Sequence, residues 1–319
     1  MDALSEVFAA VRFSGGVFLD AEFTAPWCVA SQVGPEEFRE QGRMPAHLIA
    51  YHYIIAGRML VGVGDAPPME ACAGDIVLLP RNDRHILASD RGLRPVIIDD
   101  RVAPPTDQAP AMLRYGGGGE PTHIVCGYIG CEVPQNPLLQ TLPTMLKLGV
   151  RDGTGGEWIE SSFRRAAEEF AHSGAGSAAV LGKLAELLFV DVVRRYLASL
   201  PEGQTGWLAG LRDRMVGRAL ALLHTRFSHP WTTEELAREV GLSRSAFAER
   251  FTNLIGVPPM QYLTTWRLQL AAVRLRESSS STAQLASDVG YESDAAFNRA
   301  FKRAFGTTPA AWRRQAERT

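Results

Sequence analysis

Histidine and cysteine are the side chains in this sequence whose spacing could indicate a zinc, iron or thiol site, and the spacing of the histidines limits how many could share a site. His47 and His52 are five residues apart in a stretch predicted to form a strand. Side chains of a strand alternate between its two faces, so an odd spacing directs these histidines to opposite faces. Only one of them can share a cavity with His85, and two imidazoles are too few for a catalytic zinc or iron centre. We therefore expect hydrogen-bonded histidines, no bound metal and no cofactor.

The four cysteines offer thiol chemistry only where a thiol is accessible and its pKa is lowered. Cys126 and Cys131 are five residues apart in another strand-like stretch, which is not the spacing of a CxxC redox or zinc motif. Buried free cysteines behave as small apolar side chains. Four cysteines without a small disulfide framework indicate a reducing cytoplasm.

Motifs of the common enzyme classes are absent from the sequence. It contains no nucleophile elbow, P-loop, dinucleotide fingerprint or HExxH motif, so we expect no enzymatic activity.

No run reaches the roughly 18 apolar residues of a membrane span. The first residues are acidic where a secretory signal would be basic. These features predict a cytoplasmic protein, associated with the nucleoid if it binds DNA, and no membrane partner.

The elements that position side chains near the C-terminal end follow one pattern written twice between residues 233 and 312. The matched pairs, with one single-residue insertion, are Leu236/Leu285, Ala237/Ala286, Val240/Val289, Gly241/Gly290, Phe247/Phe297, Phe251/Phe301, Gly256/Gly306, Pro259/Pro309 and Tyr262/Trp312. So many matches indicate an internal duplication.

Each copy predicts two short helices joined at a glycine. The predicted N-caps of the first helices are followed three residues later by Glu or Gln, as in a capping box. A glycine then supplies the left-handed residue that ends the helix, and a serine caps the next helix. These residues are Thr232, Gly241 and Ser243 in the first copy and Ser281, Gly290 and Ser293 in the second. The second helix of such a helix-turn-helix unit is narrow enough to enter a DNA major groove.

Charge is divided unevenly between the two ends of the chain. Residues 212–319 contain 16 lysines and arginines against 10 acidic residues, whereas residues 1–211 contain 17 against 25. The net charges of +6 and −8 combine to the −2 of the whole chain. A basic end is the charge pattern of phosphate binding, and it argues against a pair of ordinary core hairpins.

The duplicated unit resembles the DNA-binding domain of the AraC/XylS family of transcription regulators. The resemblance is carried by the stretch YESDAAFNRAFKRAFGTTPAAWR and by Pro258-Pro259 ahead of a long connecting helix, predicted from about Met260 to Glu277. It covers roughly the last hundred residues. It implies that two units, held by the connecting helix, enter successive major grooves, with double-stranded promoter DNA and RNA polymerase as partners.

The exposed face of each second helix supplies the candidate DNA contacts. These positions are Arg244, Ser245, Ala248 and Glu249 in the first copy and Ala295, Asn298, Arg299, Lys302 and Arg303 in the second. Arg299 suits a guanine edge and Asn298 an adenine edge through bidentate hydrogen bonds. Arg244, Lys302 and Arg303 are expected to contact phosphates, which position a protein without specifying sequence. The family resemblance implies base contacts at the other six positions, although Ala248 departs from the polar side chains that read bases.

Residues 1 to about 132 are predicted to be β-rich. Short apolar runs such as HLIAYHYIIAG and GDIVLLP recur at roughly ten-residue spacing, which is typical of a small sandwich or barrel. Gly74 to Pro80, followed by His85, resembles the second conserved motif of cupins. The whole chain therefore resembles an AraC subgroup with an α+β, two-domain architecture. In that subgroup an N-terminal cupin-like β-barrel with following helices precedes a C-terminal, all-α double helix-turn-helix.

That resemblance implies that the barrel senses a small molecule or an oxidant. The candidates for effector or redox sensing are His52, His85, Cys28 and Cys126, and Cys126 occupies the Cys-Gly position that the resemblance implies. Two other functions stay open on the sequence alone. One is a metal-dependent cupin enzyme fused to a DNA-binding module, and the other is a constitutive architectural DNA binder.

The predicted domains are a sensor barrel in residues 1–135, a helical association region in 136–200, a linker in 201–211 and a DNA-binding domain in 212–319. Residues 102–120 are predicted to be a Pro- and Gly-rich surface loop. Helical patterns cover Glu157–Ala171 and Ala178–Leu200. The second carries the apolar stripe Leu181, Leu184, Leu188, Val192 and Tyr196. This stripe either packs on the barrel or forms a dimer seam, and the family resemblance favours the seam of a homodimer.

Overall fold

The computed structural model describes residues 4, 5, 8, 13–38, 44–96, 102–103, 111–131, 137–150, 156–171, 176–201, 205–278 and 280–316. Two compact units are present. The β-rich unit comprises the described residues of Phe13–Cys131 and Leu142–Tyr196. The helical unit contains those of Leu197–Thr319 and of Glu132–Thr141. The domain boundaries at 135, 200 and 211 stay predictions.

The β-rich unit contains two sheets. Their strands are β1 (Phe13–Thr24), β2 (Cys28–Ser31), β3 (His47–Ala56), β4 (Arg58–Val63), β5 (Met69–Cys72), β6 (Asp75–Leu79), β7 (His85–Ala88), β8 (Val102–Ala103), β9 (Ala111–Gly116), β10 (Pro121–Cys131) and β11 (Leu146–Gly149). The larger sheet has the order β11-β6-β3-β10-β1-β9-β8, and the smaller sheet has the order β2-β7-β4-β5. A short 3-10 helix, Pro35–Phe38, follows β2.

One apolar core lies between the two sheets. Phe23 and Ile124 enter it from the larger sheet, and Val61 and Leu87 enter it from the smaller sheet. All four side chains are almost completely buried, as expected where alternating positions of each strand face inward. The predicted fold class, a β-rich N-terminal part with helices and an all-α C-terminal part, is confirmed.

The stretch 102–120 is not a loop throughout, so that prediction is wrong for part of it. β9 runs parallel to β1 and pairs Ala111 with Leu19, while residues 104–110 lie outside the described residues. The four consecutive glycines that begin with the last residue of β9 obscure the strand in the sequence, but the structure requires the first of them. A Cβ on Gly116 would lie 1.9 Å from the backbone oxygen of Thr24.

Two helices complete the β-rich unit, α2 (Gly156–Ala171) and α3 (Ser177–Ser199). Phe163 of α2 packs against Tyr53, with 4.4 Å between the ring centroids. α3 lies directly on β1, since a Cβ on Gly15 would be 2.1 Å from the backbone oxygen of Gly182. Leu181, Leu188 and Val192 are buried on this side. Of the two readings of the α3 stripe, the structure therefore shows packing within the unit for these three side chains.

The helical unit contains nine described helices. They are α1 (Pro137–Thr141), α4 (Trp207–Arg212), α5 (Arg214–Thr225), α6 (Thr233–Val240), α7 (Arg244–Ile255), α8 (Pro259–Glu277), α9 (Thr282–Asp288), α10 (Asp294–Phe305) and α11 (Pro309–Ala316). The first helix-turn-helix unit is α6 with α7, and the second is α9 with α10. The connecting helix α8 begins at Pro259, one residue before the predicted start, because proline fits the first position of a helix.

The predicted caps form as hydrogen bonds. Thr232 and Ser281 accept from the backbone N–H three residues later, as do Ser243 and Ser293. The reciprocal half of the capping box is replaced at Glu235, whose carboxylate binds His229 Nε2 at 3.1 Å. Local sequence therefore determines where these four helices begin.

The second half of the predicted linker is helical and packed. α4 contacts α1, whose Leu138 and Leu139 are buried. Trp207 of α4 is also buried, and its indole N–H donates to the hydroxyl of Tyr262 on α8 at 2.7 Å. α4 is thereby attached to the connecting helix.

Candidate nucleic-acid interface and buried sensor cluster

The first recognition helix, α7, buries one face completely. Phe247 and Phe251 are fully buried and their ring centroids are 5.6 Å apart. The opposite face presents the four predicted contacts, of which Arg244, Ser245 and Glu249 are exposed and Ala248 is half-buried. The structure thus brings the predicted positions onto one accessible face.

The second recognition helix, α10, repeats this arrangement with more positive charge. Phe297 and Phe301 are fully buried, whereas the predicted contacts Ala295, Arg299, Lys302 and Arg303 are exposed. Asn298 is half-buried, and its side-chain amide donates to the backbone oxygen and the carboxylate of Asp294 at 2.8 and 2.9 Å. Asn298 would have to leave Asp294 before it could donate to an adenine.

An ion pair that the sequence analysis missed attaches α7 to α5. Arg250 donates to the Asp213 carboxylate from Nε at 2.9 Å and from Nη2 at 2.5 Å. Asp213 also caps α5 by accepting from the backbone N–H groups of Met215 and Val216. Burial alone would raise the pKa of Asp213, but these hydrogen bonds outweigh it and the pKa lies below its usual value. Arg250 therefore holds the recognition helix although it lies beside the DNA-facing positions.

A chain of buried polar groups crosses the core of the β-rich unit. His85 Nδ1 lies 2.8 Å from the backbone oxygen of Asp83, which can only accept, so this nitrogen carries a proton. In neutral His85 the Nε2 atom then accepts from His52 Nε2 at 2.6 Å. His52 Nδ1 in turn accepts from the Cys126 thiol, with 3.0 Å between nitrogen and sulfur. We call His52, His85 and Cys126 the sensor cluster, because the sequence analysis predicts effector or redox sensing for all three.

Burial keeps the sensor cluster uncharged. It lowers the pKa of His52 well below its ordinary value, and the neighbouring His85 lowers it further. Burial likewise lowers the pKa of His85 and raises the pKa of the Cys126 thiol far above its ordinary value. At neutral pH both imidazoles and the thiol are therefore neutral, and the thiolate needed for redox reactivity is scarce.

The other predicted histidine and cysteine positions lie outside the sensor cluster. His47 Nε2 binds the backbone oxygen of Pro80 at 2.6 Å, as the odd spacing from His52 implies. Cys28 is buried, and its thiol faces the backbone oxygen of Leu93 at 3.7 Å. Burial raises the pKa of Cys28 as well. The structure thus brings together three of the four predicted sensing residues.

Trp27 adds a hydrogen-bond donor that the sequence analysis did not single out. Its ring belongs to the same apolar core as Cys126 and stacks on Phe23 with centroids 4.1 Å apart. Its indole nitrogen is buried, and no described residue offers it a hydrogen-bond acceptor. No sequence signal marks such an atom, because its lack of a partner depends on the surrounding fold.

The described ranges contain neither a metal-binding group nor a membrane-spanning helix. Among those residues, no group of three or more His, Cys, Asp or Glu side chains could hold a metal ion. Within the same part of the chain, no helix is long and apolar enough to cross a membrane.

Comparisons with known proteins place both units. The family model described as Cupin matches residues 2–198, and the model described as a helix-turn-helix domain matches residues 236–315. An AraC-like transcription regulator of Streptomyces antibioticus is 34% identical over 270 residues, which cover 84% of this chain and 87% of the relative. The HTH-type transcriptional regulator AlkR of Acinetobacter baylyi is 28% identical over 324 residues, which cover 99% and 100% of the two chains. The RCS-specific HTH-type transcriptional activator RclR of Escherichia coli is 26% identical over 267 residues, covering 83% and 84%.

Proposed function

Because the chain belongs to the AraC family of helix-turn-helix transcription regulators with an N-terminal cupin domain, we propose that the cupin domain senses a small molecule and thereby changes binding of target DNA. The relatives are regulators and not enzymes. The observation that carries the proposal is the sensor cluster, a chain of hydrogen bonds between neutral groups that reaches the apolar core at Cys126. An effector transmits a signal only if it binds two arrangements of the protein with different affinity.

The chemistry of the core indicates the class of effector. The side chains packed around Cys126 are mainly apolar, and the indole N–H of Trp27 has no acceptor among the described residues. A small apolar compound with one hydrogen-bond acceptor would supply that acceptor and could compete for the proton between His52 and His85. An oxidant is the second candidate, favoured by the hydrogen bond from the Cys126 thiol to His52. We rank the oxidant second because burial raises the pKa of Cys126 and leaves little reactive thiolate.

The proposed DNA contacts follow from exposure and charge on the two recognition helices. Arg299 is exposed on α10 and suits a guanine edge. Arg244, Lys302 and Arg303 are exposed cations suited to phosphates. The proposed base contacts are Ser245, Ala248, Glu249, Ala295, Asn298 and Arg299. Contact with RNA polymerase and action in the cytoplasm, where promoter DNA is found, are part of the same proposal.

A homodimer is proposed through the outer face of α3 and not through its buried stripe. Val180 and Leu187 are 50% and 41% exposed, and Trp158 on α2 is 63% exposed. Val180 and Leu187 are seven residues apart and share one face of α3, and apolar side chains that adjoin on a surface are typical of protein interfaces. Lys183 lies four residues before Leu187 and Asp191 four residues after it. Both side chains already form ion pairs within the chain, Lys183 with Glu186 and Asp191 with Arg195, so two antiparallel copies of α3 centred on Leu187 would be held by their apolar side chains.

The test starts from promoters bound by the full chain in cells, identified by immunoprecipitation and sequencing. Compounds acted on by the products of neighbouring genes are added to the purified protein, and its affinity for a bound promoter is measured. We expect at least one compound to change the affinity. Trp27→Phe should abolish that response, whereas the control Met44→Leu, at an exposed position of the β-rich unit, should keep it. Unchanged affinity and transcription with every compound would contradict the proposal, and a response to oxidant alone that Cys126→Ser removes would establish the second candidate.

A further inference from the structure

The two helix-turn-helix units are joined at a second place besides the connecting helix α8. The bridging segment, Phe227–His229, follows α5 and leads to the first unit. Phe227 packs against the apolar cluster of the second unit, which includes Leu285, Phe297 and Phe301. A residue from the first half of the domain thus forms part of the core of the second half.

Arg267 of α8 holds the bridging segment through two backbone carbonyls. Its Nε donates to the oxygen of Phe227 at 2.7 Å, and its Nη2 donates to the oxygen of His229 at 2.7 Å. A guanidinium presents these donors in one plane, so two simultaneous hydrogen bonds fix the orientation of the segment. Lysine, with a single ammonium nitrogen on a flexible stem, cannot reproduce this geometry.

The turn of the second unit rests against the same segment. Gly290 has a φ of +84°, and a Cβ there would lie 2.6 Å from the backbone oxygen of Ser228 and 2.8 Å from Arg267 Nη2. Gly241 occupies the equivalent turn of the first unit with a φ of +76°, yet nothing lies within 4 Å of its Cβ position. The duplicated glycines therefore share a backbone conformation, but only Gly290 also makes a close contact.

We infer that Arg267 is a positioning residue that fixes the second recognition helix relative to the first, and with it the helical phase of the two DNA half-sites the protein accepts. A connection through α8 alone would let one unit bend or twist against the other. The bridging segment closes a second connection, which Arg267 and the Gly290 contact hold in place. Half-sites read from one face of DNA must lie about one helical turn apart. A rigid pair of recognition helices binds half-sites with that spacing and binds half-sites with other spacings more weakly.

The first experiment measures tolerance of spacing. Duplexes of about 30 base pairs, long enough for two half-sites, are enriched by the wild-type full chain from a random library. About five base pairs are then inserted between the half-sites, which turns one of them to the opposite face. We expect wild-type affinity to fall at least about tenfold on insertion. For Arg267→Met this ratio should shrink to within about threefold, with Arg267→Lys between the two.

The matched control is Arg276→Met. Arg276 lies on the same helix, and its guanidinium lies over the ring of Trp312, 4.8 Å from the ring centre. Arg276→Met removes the same charge as Arg267→Met, so a loss of attraction to phosphate alone would weaken DNA binding equally in the two variants. Thermal unfolding of each variant shows whether it is folded. An unchanged spacing ratio in folded Arg267→Met would overturn the inference.

A second measurement does not depend on DNA. Spin labels are placed at the exposed positions Asn253 on α7 and Ala304 on α10, with the exposed Cys72 replaced by serine. Pulsed electron resonance then gives the distribution of distances between the recognition helices. We expect a narrow distribution in the full chain that broadens in Arg267→Met, or in Arg267→Lys where the methionine variant does not fold. Equal widths would overturn the inference.

Discussion

The Nε2 atoms of His52 and His85 lie 2.6 Å apart, and the hydrogen bond between them joins the two sheets of the barrel. Two nitrogen lone pairs at this separation would repel each other, so one proton must lie between them. Neutral His85 has only one N–H, and it donates that N–H to the Asp83 carbonyl. His52 must therefore be the donor in the bond to His85. The sensor cluster therefore has one arrangement of protons, which a competing hydrogen-bonding group could change.

The losses of folding stability caused by replacing His52 and by replacing His85 should not be additive. His52→Leu leaves the Cys126 thiol and His85 Nε2 buried without partners. We expect the free energy of unfolding to fall by about 1–3 kcal/mol. The double variant His52→Leu/His85→Leu should lose less than the sum of the two single losses. Urea unfolding measures all three variants, and strictly additive losses would count against the His52–His85 bond.

The stability of the helical unit should fall in mild acid because of His224. Burial lowers the pKa of His224 to about 3, so the unfolded chain binds this proton more readily than the folded chain does. The contribution of neutral His224 to the free energy of unfolding is therefore fully present above a pH of about 6.5. It is lost as the pH falls toward 3, by up to about 1.4 kcal/mol per pH unit. Unfolding followed by tryptophan fluorescence from about pH 7 to pH 5 should show this slope. His224→Gln should flatten it, and an equal slope in both proteins would contradict the assignment.

Arg299→Ala should weaken binding to a selected target duplex by about 1–3 kcal/mol and relax the preference at one base pair. The exposed guanidinium can pair with a guanine edge, and alanine cannot. Lys302→Ala is the comparison, because loss of a phosphate contact should weaken binding to all sequences alike. Fluorescence anisotropy on selected and random duplexes measures both. Equal losses of Arg299→Ala on the two duplexes would reassign Arg299 to phosphate binding.

Leu187→Glu should separate the proposed homodimer into monomers. The substitution places a charge at the centre of the exposed face of α3, where an antiparallel copy would bring two such charges together. Sedimentation velocity of the full chain checks the mass. Leu93→Glu introduces the same charge at a similarly exposed leucine of the barrel and should leave the mass unchanged. A wild-type chain that sediments as a monomer would rule out the interface.

Much of the helical unit could be predicted from the sequence because its determinants are local. The four serine and threonine caps, the glycine at position 241 and the paired phenylalanines act within a few residues of their own positions. The contact from Asn298 to Asp294 could also have been foreseen from the i, i+4 spacing, but the base-reading interpretation of Asn298 took precedence.

Contacts between distant segments could not be predicted in the same way. The odd spacing of His47 and His52 correctly separates their faces, but it does not show that Cys126 binds His52 or which sheet carries His85. Arg267 looks like any other cation of a basic helix until the fold brings the bridging segment to it. The unpartnered indole of Trp27 likewise depends on two sheets closing around it.

We propose that α7 and α10 enter successive major grooves on one face of DNA, and protection of guanines from methylation shows whether they do. Guanine N7 lies in the major groove, so a recognition helix shields it from a methylating reagent. On a duplex selected by the full chain, we expect two groups of protected guanines centred about 10 base pairs apart. A single protected group, or two groups about half a turn apart on opposite faces, would contradict it.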